Sequence, residues 1–279
     1  MSNKKSCKDN KFKNLGRRKF PFVLIVLILG ATLAIGTCNY IFKRIVLSPH
    51  GRFRAQHSEI NYPEGYSVRG IDISRYQGVI NWDEVKTDRI GGENIQFVFI
   101  KATEGVSVFD PHFNDNFYQA REKGILRGAY HYFSPSETGE RQAQHFIRQV
   151  HLEKGDLPPV LDVEELGGLS STTLRKEVIE WLEMVETHYG VKPIIYSGNN
   201  FKKKHLSTPE FRAYPFWIAH YYKDKLDYDG DWVFWQHTDL GDVKGIEGEV
   251  DLNIFNGSLN DLHALTIDCM KNEVTNKNN

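Results

Sequence analysis

The chain has 279 residues, 40% hydrophobic and 25% charged, enough for one large domain or two small ones with proper cores. Its 35 Lys and Arg nearly balance 36 Asp and Glu, and the net charge of −1 excludes any general attraction to nucleic acid or to an acidic polymer. The 13 Tyr, 17 Phe and 5 Trp suit a carbohydrate cleft and a packed core equally.

The even balance hides a polar start. Residues 1–19 hold eight Lys or Arg against the single acid Asp9, and Phe20 to Phe42 then runs 23 residues without a charge. A stretch of about 20 apolar residues matches the hydrocarbon thickness of a bilayer, and the basic flank stays cytoplasmic. The expectation is a basic cytoplasmic segment (1–19), a transmembrane helix (20–42) and a polar connector (43–66), with the rest outside the cytoplasm. A cleaved signal and a lipoprotein box ending at Cys38 are the competing readings. Cys7, Cys38 and Cys269 are the only cysteines, so no disulfide forms within the outer domain.

From residue 67 one kind of unit recurs. Short β-rich runs stand at 68–74, 95–102, 126–133, 158–164, 192–198, 214–221, 231–238 and 249–255. Several are apolar on both faces, as strands covered by helices are. A helix is expected after Asp110, taken as its N-cap, and ending at Gly124. A second runs from about Ser171 to Tyr189 with Gly190 as terminator. Spacers between the last strands are too short for helices. The expected fold is α/β, a flattened, helix-depleted (β/α) TIM-like barrel over 67–260, with 261–279 as a tail, a short amphipathic segment fading into polar residues and either peripheral or frayed.

In such barrels chemistry gathers where strands meet their C-terminal loops. Asp72 lies in "GIDIS", Asp162 and Glu164 in "PPVLDVEE", and Asp251 in "GEVDLN". Residues i and i+2 of a strand share a face, so Asp162 and Glu164 are expected on one inner wall, with Val163 turned outward and Glu165 solvated. Crowded inward carboxyls raise one another's pKa, which leaves a protonated acid beside ionised ones, as glycosidic cleavage requires. No His pair at ligand spacing accompanies them, so neither a metal nor another cofactor is expected. His131 and His220 are read as hydrogen-bonded structural or substrate-contacting residues, and Lys101 with Glu104 as an internal ion pair. Tyr130, Tyr196, Trp217, Tyr221 and Gln236 are candidate substrate-binding residues, with core packing the alternative for each ring.

Six ordered blocks, "GIDISRYQGVINWDEVK", "FVFIKATEGVSVFDPHFNDNFYQAREKGILRGAYHYF", "PPVLDVEE", "PIIYSG", "FWIAHY" and "WQHTDLGDVKGIEGEVDLNIF", closely resemble the glycoside hydrolase family 25 lysozymes, the Chalaropsis-type muramidases. The resemblance covers about Gly70 to Phe255. It implies cleavage of the β-1,4 bond between N-acetylmuramic acid and N-acetylglucosamine in peptidoglycan glycan strands. It further implies Glu164 as general acid, Asp162 as its partner carboxylate, and Asp72 and Asp251 as further acids of the cleft. The strand-neighbour spacing of Asp162 and Glu164 is too short for the separation of about 6.5–9.5 Å that inverting enzymes need, so retention is expected. Participation of the substrate's 2-acetamido group and direct carboxylate attack are both open as its route. A membrane-anchored monomer facing the wall is the expected state; a non-catalytic peptidoglycan-binding scaffold is the alternative from another class.

Overall fold

The computed structural model describes residue 60, residues 62–228 and residues 230–268. The expected basic segment, the anchor at 20–42, most of the connector and residues 269–279 lie outside the described residues. Among the described residues, no helix is long and apolar enough to cross a membrane.

Eight strands close a barrel: β1 (Arg69–Ile73), β3 (Glu93–Glu104), β5 (Leu126–Tyr132), β6 (Val160–Asp162), β7 (Ile194–Gly198), β8 (Phe216–Ala219), β9 (Phe234–Gly241) and β10 (Val250–Phe255). Each corresponds to one expected run. Two-residue strands β2 (Arg89–Ile90) and β4 (Val108–Phe109) pair with β3 outside the ring. The pairs from β1 through β3 and round to β9 are parallel. β10 is antiparallel to both its neighbours, β9 and β1, and completes the ring.

Helices cover the first part of the ring and thin out along the rest. They are α1 (Trp82–Thr87), α2 (Phe113–Glu122), α3 (Gly139–Gln149), α4 (Ser171–Tyr189) and the short α5 (Asn199–His205). No helix joins β8 to β9 or β9 to β10. α4 runs as expected, because Ser170 caps its first turn and Gly190 ends it at φ +69°. α2 departs from expectation. Asp110 is not its N-cap; the helix starts at Phe113 after His112, which makes no side-chain cap. The Asp110 carboxylate instead accepts from His112 N (2.9 Å) and from Arg75 N (2.7 Å), tying the loop after β1 to the start of α2.

Alternation along the strands divides the core. Outward residues such as Ile71, Val98, Leu161, Val163, Ile195 and Ile218 pack under the helices. Inward residues Phe97, Phe99, Val160, Ile194, Trp217, Phe234 and Phe255 fill the ring. Each fully buried Phe of this interior contributes about 1.5–3 kcal/mol. Two glycines make the filling possible. A Cβ on Gly70 would stand 2.5 Å from the Phe97 ring, and one on Gly128 would stand 2.5 Å from Phe99.

The packed unit extends past residue 260. α6 (Leu259–Ala264) is capped by a reciprocal Ser258–Asp261 box and adds fully buried Leu262 to the inner cluster that holds Val68, Phe97 and Phe255. Ile267 then exchanges backbone hydrogen bonds with Gly155 and Asp156. Residues 261–268, expected as a peripheral or frayed tail, are therefore the plug of the barrel base. Beside it Arg127 grips Asp156 through two hydrogen bonds of 2.7 and 3.2 Å, both residues being buried.

Candidate active site

The opposite end of the ring is the polar one. Inward positions there turn from Phe and Val to Asp72 on β1, Lys101 on β3, Tyr130 on β5, Asp162 on β6, Tyr196 on β7 and Gln236 on β9. Asp251 joins them by the reversal of β10. It lies at the start of its strand rather than the end, and pairs directly across from Asp72. In an antiparallel pair directly opposed side chains share a face, so both carboxyls belong to the same wall. The expectation of Asp251 at a C-terminal strand end is corrected in this respect. It reaches the mouth because β10 runs the other way.

β6 is shorter than expected and ends at Asp162. Val163 still follows the ladder, donating to Tyr196 O (3.0 Å) while its carbonyl accepts from Ser197 Oγ (2.8 Å). Glu164 leaves the ladder and is exposed, as is Glu165. Glu164 nonetheless remains electrostatically close to the mouth: its charge acts on Asp72, Asp162, Tyr132 and Tyr196. Asp162 and Glu164 therefore face one site from different levels, one sunk in the wall and one on its rim.

Asp162 is 7% exposed, and its Oδ1 is buried with no hydrogen-bond partner in the protein. Burial first, and the Glu164 charge second, push its carboxyl well above the usual carboxylate range; Lys101 opposes them. Lys101 itself pairs with Glu104 at 2.7 Å and lies over the Tyr132 ring at 4.8 Å, as the expected internal ion pair.

Asp72 is equally buried but well supplied. Its Oδ1 accepts from Gln236 Nε2 and from Asn253 Nδ2, each at 2.7 Å. Gln236 Oε1 in turn accepts from Tyr196 OH (2.6 Å) and Tyr221 OH (2.7 Å), and Asn253 Oδ1 from Trp217 Nε1 (2.8 Å). Burial still raises the Asp72 pKa to about 7, the two amide donors opposing and Glu164 adding to the rise.

Of the five residues singled out for substrate contact, Tyr196, Tyr221 and Gln236 converge on this network. Trp217 is 2% exposed, its ring stacked on Phe99 inside the barrel, and it touches the network through its indole N–H. Tyr130 is half-buried, faces Asp72, Asp162 and Asp251, and makes no hydrogen bond through its hydroxyl among the described residues. Burial among acids holds the Tyr130, Tyr196 and Tyr221 phenols neutral, so all three can donate. His131 lies on the outer face. It is fully buried between Thr103 Oγ1 (2.7 Å) and Gln142 Oε1 (3.2 Å), stacks on Trp181, and is held neutral with its pKa lowered to about 3. His220 meets Asn199 at 3.2 Å.

Two residues of the mouth went unread in the sequence. Asn253 follows Asp251 by two and so shares its inward face, a signal that was available. Tyr76, 78% exposed, stands on the loop directly after β1, at the same end as the acids. Among the described residues no three His, Cys, Asp or Glu side chains are grouped to hold a metal ion.

The profile of "Glycosyl hydrolases family 25" matches residues 71–246. "Lysozyme M1" of Streptomyces globisporus is 34% identical over 217 residues, 71% of this chain and 71% of that protein. "Uncharacterized protein YegX" of Escherichia coli (strain K12) is 46% identical over 257 residues, 89% of this chain and 94% of that one. Among solved structures, the bacterial lysozyme from Streptomyces coelicolor superposes with a TM-score of 0.66 at 34% identity, covering 73% of this chain and 98% of its own.

Proposed function

The chain belongs to glycosyl hydrolases family 25 and is a glycoside hydrolase of the lysozyme class, and from that premise we propose how its acids divide the work on peptidoglycan. The bond attacked is the β-1,4 link between N-acetylmuramic acid and N-acetylglucosamine. The observation that carries the reading is the buried, unpartnered Oδ1 of Asp162 among three further carboxyls at one barrel mouth.

Glu164, on the rim and open to solvent, donates its proton to the glycosidic oxygen as the C1–O bond breaks. Asp162 takes the N–H of the 2-acetamido group. That hydrogen bond favours the charged carboxylate, offsetting the burial that otherwise keeps the proton on. With its N–H held by an anion, the acetamido oxygen is the better nucleophile and closes on C1 from the opposite face. Glu164, now ionised, takes a proton from water, which opens the cyclic intermediate and leaves the configuration retained. Asp72, Asp251 and Tyr130 line the approach. The enzyme acts as a monomer, held by the apolar segment 20–42 to a membrane, with the barrel on the wall side.

Glu164→Gln tests the assignment. Loss of a positioned general acid lowers kcat by about 10²–10⁴-fold. Because the side chain is exposed, the thermal midpoint should stay near wild type. Mass spectrometry and anomeric analysis of products from defined peptidoglycan identify the bond and the stereochemistry. An inverted product, or full activity in the Gln variant, would refute the division of roles.

A further inference from the structure

Asp72 stands out at the mouth because its hydrogen bonds all fall on one oxygen. Oδ1 takes two amide N–H groups, while Oδ2 accepts none among the described residues. An isolated Asn or Gln amide can present either end, and here both orientations are dictated from behind. An indole N–H only donates, so Trp217 at 2.8 Å requires the carbonyl end of Asn253. The NH₂ end must then face Asp72. Tyr196 and Tyr221, neutral phenols, donate to Oε1 of Gln236 and turn its NH₂ end the same way. Reversing either amide would set two acceptors 2.7 Å apart, with Asp72 Oδ1 as one of them.

We propose that Trp217 and Asn253, together with Gln236, form a clamp that favours the anionic form of Asp72 against its burial and leaves Oδ2 as the one oxygen that can take a proton or meet the glycan. Asn253 and Trp217 are positioning residues, acting through Asp72. The clamp works against every other neighbour. Glu164 and Asp162, at and just beyond the end of β6, repel a charge on Asp72, and Asp251 lies directly opposite it on β10; Tyr130, Tyr196 and Tyr221 face it as neutral phenols. Lys101, the nearby cation on β3, is engaged by Glu104 and acts on Asp162. Two N–H donors on one carboxylate oxygen favour the charged form, and removing either raises the pKa.

The kinetic half of the test rests on the glycosidase reading; the other half needs no substrate. With full-length protein in detergent, kcat/KM on a soluble peptidoglycan fragment is followed against pH. Asn253→Leu is expected to move the acidic limb upward by about one pH unit or more. Trp217→Phe keeps most of the ring and moves the limb less, in the same direction. The double variant should move it no further than Asn253→Leu alone, because Trp217 acts only through Asn253. In parallel, the unfolding midpoint of each clamp variant is compared across pH with the same variant carrying Asp72→Asn. The pH window of that difference should shift upward with the limb, whatever the true substrate. An unmoved window in folded Asn253→Leu overturns the clamp, as does a Trp217→Phe shift that persists in the Asn253→Leu background. If Asn253→Leu does not fold, Trp217→Phe decides alone: a uniform drop in rate at all pH, with no shift of the limb, overturns the proposal.

Discussion

Replacing Asp72 by Asn removes the charge while keeping an oxygen for the two amide donors. Asp72 is 7% exposed, and the fold raises its pKa from 3.8 to about 7. The folded protein therefore holds this proton more tightly than the unfolded chain does. The sign follows: wild-type stability is undiminished by this group below about pH 4, falls as pH rises toward 7, and levels off above it. A shift of that size corresponds to about 4 kcal/mol lost at pH 8. An unfolding entropy of about 2.1 cal/mol/K per residue over roughly 200 residues makes that about 10 °C. Asp72→Asn should thus unfold with wild type at pH 4 and about 10 °C above it at pH 8. Scanning calorimetry at half-unit pH steps, beside an activity measurement expected to show severe loss, reads both sides. A midpoint difference that is the same at pH 4 and pH 8 would refute the idea that the fold strains against this carboxylate.

Three other perturbations separate site from scaffold. Asp156→Ala leaves the buried Arg127 guanidinium without its carboxylate and should cost about 3–5 kcal/mol in denaturant melts, with kcat of the folded fraction unchanged. Leu262→Ala, in the plug of the base, should cost about 2–5 kcal/mol; a loss under 1 kcal/mol would mean that α6 is not part of the core. Tyr76→Ala, on the rim beside the acids, should raise KM for long glycan fragments and leave kcat near wild type; equal falls in kcat and kcat/KM would place Tyr76 in the transition state instead.

The strands were legible because each alternates or runs apolar between turn residues, and the acids because they break that pattern at one point in each run. Direction was harder. Nothing within "EVDLNIF" says which way it runs, but the eight residues 242–249 between β9 and β10 do: a parallel return needs a dozen or more. Asp110 was misread because Asp-Pro is a good opening for a helix, whereas its carboxylate serves the turn and a distant backbone N–H. α6 is six residues long, too short for periodicity to distinguish a plug from a frayed end. Within the site, Asp72, Asp162 and Asp251 could be read from their places in the strand runs, whereas Glu164 reaches the rim from beyond the strand end rather than by strand spacing. The amide orientations could not be read, since that of Asn253 depends on an indole 36 residues away and that of Gln236 on two phenols from other strands and loops.

The reversal of β10 has a further consequence for how the barrel is connected to the rest of its chain. β1 begins at the plugged base, and with eight parallel strands the chain would emerge at the mouth, over its own acids. One strand turned back restores the exit to the base, where α6 follows at once. Entry and exit share the face opposite the chemistry. The barrel thus closes without its last strand having to leave over the mouth, where Asp72 and Asp251 lie.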